Sequence, residues 1–295
     1  MSESQTQTVD DEPTETETES ETETETEETP GQSADLTTDS GGFSCIAEAS
    51  TLEEFFETFY TLMDEMKLHL DTDGLYAIGV DPANIASAED SLDKEAFEHY
   101  SSTGGLIGLD LSRMIDILSF ADAGDLAKLE LDQETRKLHI EIESLEYTLA
   151  LIDPDAIRAE PDLPDLDLPG VVTLEASDLS RAITAADMVS DHIRFRIAES
   201  EDGDPMFIAE AAGDTDDVVL EVVEDELVAI EAGDADSLFS LDYLEDIAKA
   251  VPKDAAVTLR LGEEFPMFLE FEHCEVDEET HAEALFMLAP RITKE

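Results

Sequence analysis

The feature that most narrows the fold is an internal echo, because a series of elements that opens at residue 43 starts over after residue 169. Ala49-Ser50-Thr51-Leu52 lead a stretch whose apolar side chains, Leu52, Phe55, Phe56, Phe59, Leu62, Met63 and Met66, recur every three or four positions. That spacing predicts an amphipathic helix over 51–65. Ala176-Ser177-Asp178-Leu179 open its counterpart, with Ile183, Ala186 and Val189 as the apolar stripe. Leu109-Asp110-Leu111 lead a second helix carrying Met114, Ile115 and Leu118 on one face, with Asp110 placed to cap it. Leu241-Asp242-Tyr243 lead its match, carrying Leu244, Ile247, Ala248 and Val251. YTLALIDP at 147–154 closes the first half, and LFMLAP at 285–290 closes the second. A repeat of this kind implies duplication of one supersecondary unit.

Around the helices the pattern is strand-like. Segments 43–49, 67–70, 75–80, 85–92, 106–109, 126–131, 137–142 and 147–152 read as an antiparallel set, with Asp132-Gln-Glu-Thr135 as a hairpin turn. The proline- and acid-rich stretch 153–169 reads as an extended linker. The expected organisation is therefore an acidic tail (1–42), a first domain (43–152), a connecting loop (153–169) and a second domain (170–295), in the α+β class. From 14 to 28 the tail is nearly pure Thr/Glu alternation with nothing apolar to bury, so it cannot offset its ordering entropy and is expected to be disordered.

Charge sets the medium. The chain carries 77 acidic against 15 basic side chains, a formal charge of −62, yet 42% of it is hydrophobic, enough to build cores. Such charge repels itself in dilute buffer, whereas at molar salt the screening length falls to about 3 Å. Because the acid excess runs the whole length rather than forming one block, a molar-salt interior explains it better than mimicry of nucleic acid. Cys45 and Cys274 are far apart without a CxxC, and the histidines form no HxxxH or HExxH, so neither a disulfide framework nor a zinc site is expected. Nor is there a Gly-rich phosphate loop or a GxSxG. The expectation is a non-enzyme without cofactor or metal. With no basic-apolar leader and no run long enough for a bilayer, it is also expected to be soluble and cytoplasmic.

Several stretches, in order, resemble the PCNA-type DNA polymerase sliding clamps of archaea and eukaryotes. GVDPANI at 79–85 resembles the turn and strand bordering that family's partner pocket, and 151–168 its interdomain connecting loop. IAKAVP at 247–252 with VTL at 257–259 resembles the last helix and the strand after it, and LAPRI at 288–292 the C-terminal segment. The resemblance covers about 43–292 and implies a DNA-clamp fold: two similar domains, helices on an inner face, antiparallel sheets outside, three copies closed head to tail. It implies duplex DNA in the hole and a polymerase, clamp loader, ligase and nucleases docked through short peptides.

Site residues follow from the same resemblance. The partner pocket would use Val80, Ile85, Leu163, Leu166, Pro252, Ala289, Pro290 and Ile292. Subunits would join through Tyr147, Leu149 and Leu151 against Val218, Leu220 and Val222. Arg113, Arg181, Lys249 and Lys253 would face DNA. Two departures stand out. Relatives carry a larger apolar residue where Ser87 stands and another apolar residue where Asp90 stands, which implies either a shallower pocket or different partners. Glu53, Glu54, Tyr60, Asp116 and Ser119 occupy positions where relatives are basic, which admits a second reading as a clamp-fold regulator that forms mixed rings or sequesters partners without gripping DNA.

Overall fold

The computed structural model describes residues 42–200 and 203–292. The acidic tail expected over 1–42 lies, apart from Gly42, outside the described residues.

The echo is complete. The first half runs β1 (Phe43–Glu48), α1 (Ala49–Tyr60), β2 (Glu65–Leu70), β3 (Gly74–Val80), β4 (Ala86–Asp93), β5 (His99–Ser102), β6 (Leu106–Asp110), α2 (Leu111–Leu118), β7 (Leu126–Asp132), β8 (Lys137–Ile142) and β9 (Leu145–Ala150). The second half repeats that order as β10 (Gly170–Glu175), α3 (Ala176–Asp187), β11 (His192–Glu199), β12 (Pro205–Ala212), β13 (Asp217–Val223), β14 (Ala229–Glu231), β15 (Ala235–Ser240), α4 (Leu241–Ala250), β16 (Ala256–Leu261), β17 (Met267–Val276) and β18 (Glu279–Leu288). Even the bonds that seat the helices recur. The Ala49 N–H donates to the Asp125 carbonyl at 2.9 Å, and the Ala176 N–H to the Ala255 carbonyl at 3.0 Å. The Leu111 N–H meets the Asp64 carbonyl at 2.9 Å, and the Leu241 N–H that of Asp191 at 3.0 Å. Each satisfies a helix-start donor that would otherwise be orphaned. The Asp110 carboxylate caps α2 as its sequence implies, accepting the Arg113 N–H at 3.0 Å.

Three antiparallel sheets result. β5-β1-β7-β8-β9 come wholly from the first half, and β13-β12-β11-β15 wholly from the second. The third runs through both halves in the order β14-β10-β16-β17-β18-β4-β3-β2-β6. Its seam is β18 on β4, where Phe286 faces Ala88 and Leu288 faces Ala86.

α1 packs against both α2 and α4, and α3 against α4, so the helices form one layer in the order α2-α1-α4-α3. Leu52, Phe55, Phe56 and Phe59 of α1 have no exposed surface. Burial of each such side chain contributes about 1.5–3 kcal/mol. α1 ends at Tyr60, short of the expected 65. Met66 keeps the helical spacing, but its backbone pairs with Leu109 in β2–β6, and sheet pairing wins over periodicity. The final strand of the first half lies at Leu145–Ala150 rather than 147–152, and Ile152 makes only an isolated bridge to Gly108.

The β3–β4 turn is built on one carboxylate. Asp81, 3% exposed, accepts N–H bonds from Ala83 (2.7 Å), Ile85 (2.6 Å) and Ala86 (2.8 Å), and the Tyr243 hydroxyl of α4 at 2.8 Å. Burial pushes its pKa up, but these donors outweigh burial and hold it below the ordinary carboxylate value. A depressed folded pKa contributes stability that is present above the unfolded value and lost as pH falls through the folded one. Asp81→Ala is expected to cost about 1–3 kcal/mol by orphaning buried donors. The loss should be full near neutral pH and shrink as acid protonates the wild-type carboxyl, measured by urea unfolding in molar KCl.

Candidate partner-peptide site and helical face

Cross-strand register assembles the candidate pocket on the sheet face away from the helices. Val80 pairs with Ser87, Ser87 with Met287 and Met287 with Phe268, so these four share one row and one face. The Ala289 N–H donates to the Ile85 carbonyl at 2.9 Å, which extends the row by one step along the strands. Met267 opposes Leu288, so the preceding Pro266 stands level with Ala289. Val80, Ile85, Pro266, Met287, Ala289 and Pro290 are all partly exposed, and Ile292 is 86% exposed. An apolar side chain that exposed has no core role, which leaves it free for a ligand.

The connecting loop is tied along the same face. A Cβ on Gly108 would fall 2.6 Å from the Ile152 carbonyl oxygen and from Ile157 Cδ1, so only glycine lets the loop start there. Arg158 then donates to Asn84 Oδ1 (2.7 Å) and the Pro82 carbonyl (3.0 Å), and Glu160 bonds His69 Nε2 at 2.6 Å. Leu163 and Leu166 are half-buried on the loop, and Leu168 is buried over Gly262 and beside Phe265.

Not every expected pocket residue joins this group. Pro252 lies at the opposite end of β17, lining a cavity of about 700 Å³ with Glu54, Cys274 and Glu283. The reason is topological: β16 begins at Ala256 beside the far end of β17, while Leu261 runs toward the pocket end. The proline that reaches the pocket is Pro266, which the sequence reading missed. Its signal was its place one residue before the strand that pairs with the LAP segment. The two altered positions separate as well. Ser87 is buried in this row, 1% exposed and with its Oγ unpartnered. Asp90 faces the other way, into the core, where its Oδ2 bonds His273 Nε2 at 2.8 Å. It does not share the face of Val80 and Ser87.

The opposite surface is the helical layer. Arg113, Arg181 and Lys249 are exposed there on α2, α3 and α4, and Lys253 is exposed in the turn after α4. Arg181 pairs with Asp178 at 3.0 Å and Lys249 with Asp246 at 2.6 Å, each on its own helix. Arg113 and Lys253 have no ion-pair partner among the described residues. The acids crowd each other. Partial burial, then Glu53 and Glu54, raise the pKa of Glu57. On α4, desolvation and then Asp187 and Asp242 raise that of Glu245. The expected subunit edges also have consistent faces. Leu149 (5% exposed) and Val222 (1%) are buried, Tyr147 (36%) is open, and Leu151, Val218 and Leu220 are half-buried.

A layer of four helices over sheets built from a duplicated β-rich unit, with a tethered connecting loop along the sheet face away from the helices, defines a DNA-clamp fold. Residues 44–154 match the family described as Proliferating cell nuclear antigen, N-terminal domain, and residues 162–287 its C-terminal domain. The chain is 54% identical over 250 residues to the DNA polymerase sliding clamp of Halobacterium salinarum, covering 85% of this chain and 98% of that one. With the clamp of Haloarcula marismortui it shares 52% over 253 residues, 86% of this chain and 100% of the relative. Among solved structures it is similar to A. fulgidus PCNA with the C-terminal region of FEN-1 bound, at TM-score 0.78 and 35% identity, covering 86% of this chain and 100% of that one. This chain belongs to the PCNA family of DNA polymerase sliding clamps.

Glu57 offers a test of the helical face. A carboxylate whose folded pKa is raised binds its proton more tightly when folded, so its charge disfavours the fold above that pKa. Glu57→Gln is expected to stabilise the protein by a few tenths of a kcal/mol in about 0.1 M KCl, because the group is largely solvated. The part of the gain that comes from Glu53 and Glu54 should vanish at about 1 M, where repulsion is screened, while the part that comes from burial remains. Thermal unfolding at both salt concentrations reads it.

Proposed function

We propose that this chain closes as a ring of three copies around duplex DNA and holds replication and repair enzymes to their template by short peptides seated at Val80, Ile85, Pro266, Ala289, Pro290 and Ile292. The observation that carries the reading is the seam inside the chain. β18 and β4 are paired with each other, while their counterparts by repeat, β9 and β13, are both left as sheet edges. A second copy placed as the second half is placed on the first would join β9 of one to β13 of the next. This contact is heterologous and closes when the rotation divides the circle. Tyr147, Leu149 and Leu151 would then extend one helix-side core into Val218, Leu220 and Val222, just as Phe286 and Leu288 do with Ala88 and Ala86. Closure also removes edges that would otherwise recruit stray strands.

Such a ring performs no chemistry. It raises the local concentration of a polymerase, clamp loader, ligase or nuclease at the DNA it encircles. A. fulgidus PCNA binds the C-terminal region of FEN-1, which makes a peptide of that region the natural first probe. The acidic helical face favours a second reading, in which the chain enters mixed rings or sequesters partners without gripping DNA.

Val218→Asp, at a half-buried edge position, should convert trimers to monomers in molar KCl while leaving the circular dichroism spectrum unchanged, as sedimentation velocity would show. A wild-type protein that sediments as a monomer sinks the ring. Retention on nicked circular DNA, lost when the circle is cut, is expected for the clamp. Equal loss from circle and line would instead support the regulator. Pro290→Ala with Ile292→Ala should weaken binding of the FEN-1 C-terminal peptide at least tenfold without dissociating the ring. Unchanged affinity would place the peptide elsewhere.

A further inference from the structure

At the end of β17 remote from the pocket, two consecutive residues turn the same way. Strand alternation would send His273 and Cys274 to opposite faces. Cys274 instead adopts φ +57°, and both side chains are buried, 3% and 2% exposed, beneath α1. A left-handed conformation at a non-glycine residue costs about 1–2 kcal/mol. Here its effect is to bring Cys274 Sγ to 3.4 Å from His273 Nδ1. Glu54 of α1 closes the group, its carboxylate accepting the Cys274 N–H at 3.2 Å. One ligand atom from each of Glu54, His273 and Cys274 lies within 4.8 Å of the others. The other imidazole nitrogen, Nε2, is fixed by the buried carboxylate of Asp90 at 2.8 Å. A carboxylate behind a histidine is the arrangement that orients metal-ligating imidazoles. Glu54 is exposed at the mouth of the cavity of about 700 Å³ that reaches His273 and Cys274, so a cation has a way in.

We propose that Glu54, His273 and Cys274 form a binding site for a borderline-soft divalent cation of the Zn²⁺ class, with water in the fourth position. A tetrahedral Zn²⁺ with Zn–S of about 2.3 Å and Zn–N of about 2.05 Å separates the two ligand atoms by about 3.6 Å. The observed 3.4 Å needs little adjustment. One thiolate and one imidazole select against K⁺ and Mg²⁺, which prefer oxygen and abound around an acidic protein. Without a cation the thiol keeps its proton and points at the Thr51 carbonyl, 3.4 Å away. On binding, that proton leaves to solvent as the sulfur–metal bond forms. The ligands come from both halves of the chain, Glu54 from the first and His273 and Cys274 from the second. The cation is therefore a staple beside the β18–β4 seam.

The test is a Co²⁺ titration of the full chain in molar KCl, followed by displacement with Zn²⁺. Expected is one Co²⁺ per chain with a thiolate-to-cobalt charge-transfer band, displaced by an equivalent of Zn²⁺, and a rise in Tm with either metal. Cys274→Ala should abolish the band and Glu54→Gln weaken binding at least tenfold, while Cys45→Ala leaves both unchanged. A wild-type protein that shows no thiolate band, or binds Co²⁺ only through carboxylates, overturns the site. So does a band that survives in Cys274→Ala. The wild-type readings decide the matter even where a variant fails to fold.

Discussion

An antiparallel strand with one side unpaired is the constraint around which the molecule is organised. Each half carries a five-strand and a four-strand group, and each group ends on a strand whose outer backbone groups need partners. Within the chain one pair of these ends, β18 and β4, meets, and the seam fuses the halves into a single nine-stranded sheet. Both candidate surfaces are arranged relative to that seam. The apolar row of Val80, Ser87, Met287 and Phe268 crosses it on one face. α1 and α4 meet across it on the other. The Asp81–Tyr243 bond spans the halves beside it, and so does the buried Asp90–His273 pair. The second pair of ends, β9 and β13, presents the same row of unpaired edge groups, which another strand can cover.

Much of this was legible in the sequence, and the reasons differ by residue. The helical stripes of α1 to α4 were visible because each buries one face only, and Asp110 because capping is local. The end of α1 was not, since Met66 satisfies the helical period and only its long-range pairing with Leu109 decides otherwise. β5 was missed because its four residues, His99–Ser102, alternate exposed and half-buried and offer no apolar signal. The turn at 79–85 and the segment at 288–292 do come together, but Pro252 lies apart from them, with Glu54 and Cys274. Which proline lies beside Ala289 depends on the register of β17 against β18, which sequence spacing does not encode. Asp90 looked like an altered pocket residue for the same reason: one step along a strand exchanges the faces. His273 and Cys274 formed no recognisable ligand spacing, because their third partner lies more than two hundred positions earlier in the chain.

The acidic helical layer looks at first like an argument against holding DNA, and the magnitudes decide how much weight it carries. Phosphate contacts lose several powers of ten in affinity as salt rises, so at molar salt a basic lining contributes little to any clamp. What the lining must avoid is repulsion, and at a screening length of about 3 Å a carboxylate acts only on groups almost in contact with it. Arg181 and Lys249 are consistent with that regime. Each is held by an acid three residues before it on the same helix, at 3.0 and 2.6 Å, instead of standing free toward the centre. Such exposed pairs add well under 1 kcal/mol, so they hold the cations loosely and keep the layer's field short-ranged rather than strengthening the fold. A ring that retains DNA by closure needs no more than this. Its grip comes from the strand pairing at its seams, which salt does not screen, and not from its charges, which salt does.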